Sequence, residues 1–136
     1  MFASITAVKR QTGQIIIPNG VNVWAHELKT AQALAAAGFT VRFIRKSDQE
    51  RKTSADAFVD GVRWEFKAPT GSSKKIIERN LKKARWQSGN VVFDSRRMKK
   101  IPDKAIQREL SKWLHEMRGL NRILFINRHG IVLEID

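Results

Sequence analysis

The spacing of apolar and polar residues along the chain predicts three helices and six or seven strands. Residues 23–37 are rich in alanine and leucine and end at Gly38, which is typical of a helix closed by a glycine. Residues 74–87, which follow a capping serine, predict a second helix that ends before Gly89, and residues 103–117 predict a third. Short apolar or alternating runs predict strands at 39–45, 55–59, 62–67, 90–93, 122–127 and 131–135, and the segment before residue 23 is irregular or holds one short strand at 14–17. From the first helix the order is α-β-β-β-α-β-α-β-β, which indicates an α/β or α+β fold with a mixed central sheet between helices.

One predicted hairpin brings two acids together. Asp60-Gly61 is a favoured two-residue turn, and it places Asp56 directly opposite Glu65 on the partner strand. Because side chains alternate along a strand, one face of the hairpin is polar and carries Asp56, Arg63, Glu65 and Lys67 together with Phe58. The other face is apolar and belongs to the predicted core: Ala57, Val59, Val62, Trp64 and Phe66.

Two facing carboxylates are unfavourable unless a cation lies between them or one keeps its proton. Such a pair suits a hard divalent cation such as Mg²⁺ or Mn²⁺, which prefers oxygen ligands. Lys67, two residues after Glu65 on the same face, could stabilise charge at a phosphate or help to activate water. The alternative is that Arg63 and Lys67 neutralise the two acids on a solvated sheet face. The sequence chemistry leaves both interpretations open.

Composition narrows the class of partner. The chain has 136 residues and no cysteine, so we expect a single domain over residues 1–136 without disulfides or thiolate metal sites. Its apolar runs are too short to span a bilayer, no signal-peptide pattern follows Met1, and we expect a soluble domain. A total of 26 Lys and Arg against 13 Asp and Glu gives a net charge of +13, which favours a polyanionic partner, most often nucleic acid.

Basic residues concentrate in two places that we predict to contact nucleic acid. They lie on the polar side of the second helix and in the loop after the fifth predicted strand: Lys74, Lys75, Arg79, Lys82 and Arg85, then Arg96, Arg97, Lys99 and Lys100. A solvated charged face is the ordinary alternative. Trp86 and Trp113 could stack on unpaired bases, although packing in the core is the commoner role of tryptophan.

Glu27 lies at the edge of the apolar stripe of the first helix, where a carboxylate needs a partner. It could be a third metal ligand that reaches the hairpin acids, or it could pair with Lys29 or a nearby arginine. His26 is one position off this edge, and an exposed position in the first turn is its expected role.

These residues, in this order, resemble the PD-(D/E)xK nuclease superfamily. The similarity is closer to the tRNA-cleaving toxin domains at the C-termini of CdiA-type contact-dependent inhibition proteins. It covers roughly residues 15–94, with a looser match of the last strands. The matching pieces are IPNG (17–20), HE (26–27), TA (30–31), LAAAG (34–38), SAD (54–56), DG (60–61), WEFK (64–67), KAxxQ (83–87) and NVVFD (90–94).

The resemblance implies a restriction-endonuclease-like core over about residues 22–94, followed by an added helix and a C-terminal hairpin over 103–136. It implies that Asp56 and Glu65 hold a catalytic Mg²⁺ or Mn²⁺ and that Glu27 contributes to the same site. Lys67 would assist the attacking water, with Lys83 as the alternative lysine, and Gln87 would orient the site.

The resemblance also implies a biological context. The substrate would be tRNA, and the domain would act in the bacterial cytoplasm after delivery as part of a larger toxin. A cognate immunity protein would bind the domain, and an acidic one would suit its +13 charge. Two other functions remain open on the sequence: a DNA endonuclease of the same superfamily, and a basic nucleic-acid-binding module without catalysis.

Overall fold

The computed structural model describes residues 12–45 and 56–136, and these form seven strands and three helices. The helices are α1 (Ala25–Ala36), α2 (Lys74–Ala84) and α3 (Asp103–Glu116). The strands are β1 (Ile15–Ile16), β2 (Val41–Phe43), β3 (Asp56–Val59), β4 (Val62–Lys67), β5 (Asn90–Asp94), β6 (Arg122–Ile126) and β7 (Val132–Glu134). The α+β fold with a mixed sheet and the predicted order of elements are confirmed. The charged segment 46–53 and the residues Ser54 and Ala55 lie outside the described residues.

The strands join one mixed sheet in the order of the sequence, from β1 to β7. β1–β2, β4–β5 and β5–β6 are parallel pairs, and the other three neighbouring pairs are antiparallel. Each parallel pair is connected through a helix, as parallel strands require a crossover. The predicted C-terminal hairpin is the antiparallel pair β6–β7.

Helices cover the sheet on both faces, so the chain has two apolar cores. α1 packs against one face, where Leu34 meets Phe43, Trp64 and Phe66. α2 and α3 pack against the other face, where Ile77 and Leu110 meet Phe93. This second face is also the face of Asp56 and Glu65, because Glu65 pairs with Val91 of the second core in the parallel register.

The structure corrects three predicted details of burial. The helical spacing predicts Trp24 as part of the apolar stripe of the first helix, but it is the N-cap of α1 in extended conformation and is 54% exposed. α2 ends at Ala84, and the Ala84 carbonyl accepts hydrogen bonds from the backbone N–H groups of Gln87 and Ser88 in a tight turn. Trp86 lies in this turn and is 75% exposed, whereas Trp113 packs against the second core. The third correction is Val62, predicted for the core but exposed beside the hairpin turn.

Candidate active site

The β3–β4 hairpin has the predicted turn and register. Asp60 (φ +49°) and Gly61 (φ +83°) both have positive φ, as a type I′ turn requires. Val59 faces Val62, and Asp56 faces Glu65. The two carboxylates therefore lie on one face of the hairpin, with Cβ atoms roughly 5 Å apart as in other cross-strand pairs.

Both acids are completely buried, so the alternative of a solvated sheet face is wrong. The same alternative also predicted that Arg63 and Lys67 neutralise the two acids, and both residues do pair with them. Arg63 donates from Nε to Asp56 Oδ2 (2.9 Å) and from Nη2 to the same oxygen. Lys67 is itself buried, and its Nζ lies 3.6 Å from Glu65 Oε2. Each carboxylate thus has a cation from its own hairpin, which offsets part of the cost of burying two facing charges.

Gln87 reaches the pair from the turn after α2. With its amide nitrogen turned toward Glu65, it donates to both carboxylate oxygens, at 2.9 Å to Oε1. The turn is fixed on β4, because Ser88 Oγ and Asn90 Nδ2 both donate to the Arg63 carbonyl (3.2 and 3.3 Å). The structure therefore brings together four of the predicted site residues: Asp56, Glu65, Lys67 and Gln87.

Glu27 does not join this group. Its carboxylate accepts the backbone N–H of Trp24 (3.0 Å) and forms a capping box at the start of α1. α1 packs on the opposite face of the sheet from Asp56 and Glu65. Within residues 12–45 and 56–136, no three acidic or histidine side chains converge to hold a metal.

Lys83, the alternative lysine, is exposed on α2. In the described parts of the chain, no ion pair or hydrogen bond connects it to Asp56 or Glu65, whereas Lys67 lies beside Glu65. The geometry favours Lys67 as the lysine of the site.

Asp94 is a buried acid that the sequence reasoning missed as a separate feature. It ends β5 and lies on the α1 side of the sheet, where Thr30 Oγ1 donates to Oδ2 (2.7 Å). Arg96 donates to both of its oxygens, from Nε at 3.0 Å and from Nη2 at 2.7 Å. Hydrogen bonding to Asp94 raises the pKa of Arg96, against the opposing effect of burial. An acid directly after the apolar run 91–93 was the signal available in the sequence.

The two predicted basic surfaces differ in how far their side chains are exposed or bonded to neighbouring parts of the protein. Lys74, Lys75, Arg79 and Lys82 are exposed on α2, with Lys82 paired to Glu78 (2.9 Å). Arg85 donates to the Arg118 carbonyl (3.2 Å), and its guanidinium lies 4.5 Å from the Trp86 ring centroid.

In the loop after β5, the two arginines are tied to neighbouring backbone. Arg96 donates to the Lys29 carbonyl and Arg97 to the Ala68 carbonyl, both at 2.9 Å. Met98 and Ile101 anchor the same loop in the second core, while Lys99 and Lys100 are exposed. Lys99, Lys100 and the exposed Arg97 therefore present charge to solvent, whereas Arg96 is partly buried.

The oxygen ligands fit a small divalent cation. Asp56 and Glu65 supply hard carboxylate oxygens at one buried position. Mg²⁺ commonly takes one or two carboxylates and completes its shell with water and substrate phosphate. To bind it, Asp56 would exchange its hydrogen bonds with the half-exposed Arg63 for the cation.

The fold and the site define a small basic α+β domain with a buried carboxylate pair beside a lysine. A family model described as the contact-dependent growth inhibition CdiA C-terminal domain matches residues 52–132. The match spans more than half of the chain, and the protein belongs to this family. It is therefore a toxin effector domain of contact-dependent growth inhibition.

A solved structure supports the fold. The chain is similar to a CdiA-CT/CdiI toxin and immunity complex from Burkholderia pseudomallei, with a TM-score of 0.61 and 18% sequence identity. The similarity covers 94% of this chain and 96% of that chain. A search of curated proteins gave no significant match. Among the described residues, no helix has the length and apolarity needed to cross a membrane.

Proposed function

We propose that this toxin domain is a metal-dependent endoribonuclease that cleaves tRNA in the cytoplasm of the target bacterium. The observation that carries the proposal is the buried Asp56–Glu65 pair with Lys67 at its edge. Two facing buried acids are costly to keep, and groups of this kind concentrate at functional sites. The arrangement also agrees with the PD-(D/E)xK resemblance of the sequence, which assigns these residues to phosphodiester hydrolysis.

Asp56 and Glu65 would hold Mg²⁺ or Mn²⁺, which when bound stabilises charge on the phosphate and acidifies water. Lys67 has its ammonium group beside Glu65 and would donate a hydrogen bond to the scissile phosphate or the attacking water. Gln87 would keep the Glu65 carboxylate in one orientation through its amide. Glu27 stays at its capping box and is left out of this site.

The choice of RNA rests on charge and on the resemblance to tRNA-cleaving toxin domains. The +13 net charge suits a polyanion, and the exposed lysines and arginine of α2 lie on the helix that leads to Gln87.

A cognate immunity protein is proposed as the protein partner. The similar solved structure is a toxin and immunity complex, and an acidic protein would be attracted to the basic surface.

The test is cleavage of total RNA by the purified domain with Mg²⁺ or Mn²⁺. We expect tRNA to be cut, cleavage to stop in EDTA, and Glu65→Ala to remove it. Glu116→Ala, which changes an exposed acid at the end of α3, is the matched control and should remain active. Cleavage that survives in EDTA or in Glu65→Ala would exclude the proposed site.

Supercoiled plasmid, tested in parallel, separates RNA from DNA as substrate. Nicking of the plasmid with intact tRNA would make the domain a DNA endonuclease. Salt-dependent RNA binding with no cleavage under any metal condition would make it a non-catalytic binding module.

A further inference from the structure

A second group of side chains lies next to the acid pair on the same face of the sheet. The strand register aligns Ile16 with Arg42, Arg42 with Phe58, and Phe58 with Arg63. Phe58 is two residues after Asp56, and Arg63 is two residues before Glu65. All four side chains, here called the Phe58 row, therefore share the face of the carboxylates, at a distance of roughly 7 Å along the strands.

The Phe58 row is accessible because the helices cover only part of this face. α2 and α3 pack on β5 and β6, where Val91, Phe93 and Ile123 belong to their core. On the β1–β3 side, Phe58 is 37% exposed and Ile16 is 40% exposed, and Arg42 is exposed as well. An aromatic ring between two guanidinium groups thus faces outward beside the buried acids.

The chemistry of the row matches a single-stranded nucleic acid. An exposed aromatic ring on a sheet offers a flat surface for an unpaired base, and neighbouring arginines neutralise the adjacent phosphates. The four residues of the row carry two positive charges and no negative charge, so the charge of the row complements a phosphate backbone. Arg63 also reaches Asp56, which connects the row physically to the acid pair.

We propose that the Phe58 row is a docking site for an unpaired RNA segment, with a base stacked on Phe58 and phosphates held by Arg42 and Arg63. Docking of this segment positions the scissile phosphate beside Asp56 and Glu65. The proposal rests on the proposed ribonuclease function, because it assigns a substrate-binding surface to the same site.

Binding in EDTA tests the row without cleavage. The probe is a fluorescently labelled single-stranded oligoribonucleotide of about 12 nucleotides, compared with its blunt duplex, and the readout is fluorescence anisotropy. We expect Phe58→Leu to weaken single-strand binding about tenfold or more because stacking is removed, and Phe58→Tyr to retain it. Arg42→Gln should weaken binding and lower the salt slope by about 0.7 for each phosphate that is no longer neutralised.

The controls make the same changes elsewhere on the surface. Trp24→Leu removes another exposed aromatic residue at the α1 end, and Arg108→Gln removes an exposed arginine of α3. Both should leave single-strand affinity within about twofold of the parent chain. Thermal melting of every variant establishes that it remains folded.

Unchanged single-strand affinity in both Phe58→Leu and Arg42→Gln would overturn the docking site. The same holds for an equal loss of single-strand and duplex binding. A third contrary result is intact RNA affinity with loss of rescue by the co-expressed immunity protein, which would assign the row to that partner. Because affinity is measured without catalysis, a failure here leaves the cleavage experiment with Glu65→Ala to decide the enzyme itself.

Discussion

Asp94 and the Asp56–Glu65 pair are two buried acidic centres on opposite faces of one sheet. Asp94 is a single carboxylate whose oxygens are bound by Thr30 and Arg96. Arg96 continues to the Lys29 carbonyl, so this centre joins the loop after β5 to α1. Its hydrogen bonds connect separate parts of the fold, and we interpret it as structural.

The Asp56–Glu65 pair differs from Asp94 in the groups that surround it. Asp56 and Glu65 face each other, and Arg63 and Lys67 of the same hairpin each pair with one of them. The pair therefore concentrates negative charge at one position of the hairpin, beneath the half-exposed Arg63. The comparison teaches that burial and an arginine partner do not by themselves indicate a catalytic acid. Our assignment of the hairpin pair as the catalytic site rests instead on the juxtaposition of two acids with a lysine.

The largest effect is expected from Asp56→Asn. It removes the charge while preserving the shape, and cleavage should fall by about a thousandfold or more because a metal ligand is removed. The free energy of unfolding should fall less than in Asp94→Asn, because losing the Arg63 hydrogen bonds is offset by relief of the repulsion between the two facing carboxylates. The measurements are tRNA cleavage rates and urea denaturation. A large loss of stability with normal cleavage per folded molecule would make Asp56 structural like Asp94.

The next effect distinguishes the two lysines. Lys67→Met should slow cleavage by about a hundredfold, the range expected when a proton-transfer or charge-stabilising group is removed. Lys83→Met should change the rate by less than about threefold, because Lys83 is exposed on α2. Single-turnover rates on tRNA decide between them. The reverse order would move the catalytic lysine to α2.

Asp94→Asn should show the opposite profile to Asp56→Asn. Losing the charge partner of Arg96 should lower the free energy of unfolding by roughly 2–3 kcal/mol, somewhat less than for a fully buried pair, because Arg96 is partly exposed. Cleavage per folded molecule should be unchanged. Urea denaturation and active-fraction-corrected rates test this expectation, and a stable but inactive protein would contradict it.

The smallest effect is expected at an exposed pair. Arg122 donates to both oxygens of Glu134 (2.8 and 2.9 Å), and these hydrogen bonds lower the pKa of Glu134. The unfolded carboxyl has the higher pKa, so the pair stabilises the fold above that value and loses its effect as the pH falls through the folded pKa. Glu134→Gln should cost less than about 1 kcal/mol at neutral pH.

The measurement for this pair is urea denaturation across pH. The difference between Glu134→Gln and the parent chain should disappear in acid, once the pH is below the lowered folded pKa of Glu134. A difference that stays constant over the whole range would show that the pair acts through packing and not through charge.

Local sequence signals predicted much of the fold. The Asp60-Gly61 turn set the hairpin register, because Asp-Gly favours the type I′ turn, whose two positive φ angles match the twist of strands joined by two residues. Gly38, at φ +100°, follows α1 as predicted. Trp86 was harder to assign, because apolar character alone does not reveal that α2 ends at Ala84 and leaves the ring in an exposed turn.

By itself the sequence determined the order of the elements, the facing of Asp56 and Glu65, and the basic charge, since each depends on residues close in the chain or on composition alone. The tertiary structure decided which acids share a site. Glu27 and Asp94 lie on the α1 side of the sheet, and Gln87 meets Glu65 from the other side. Helix periodicity shows which side of a helix is apolar, but the face of the sheet that the helix covers is set by packing between distant segments.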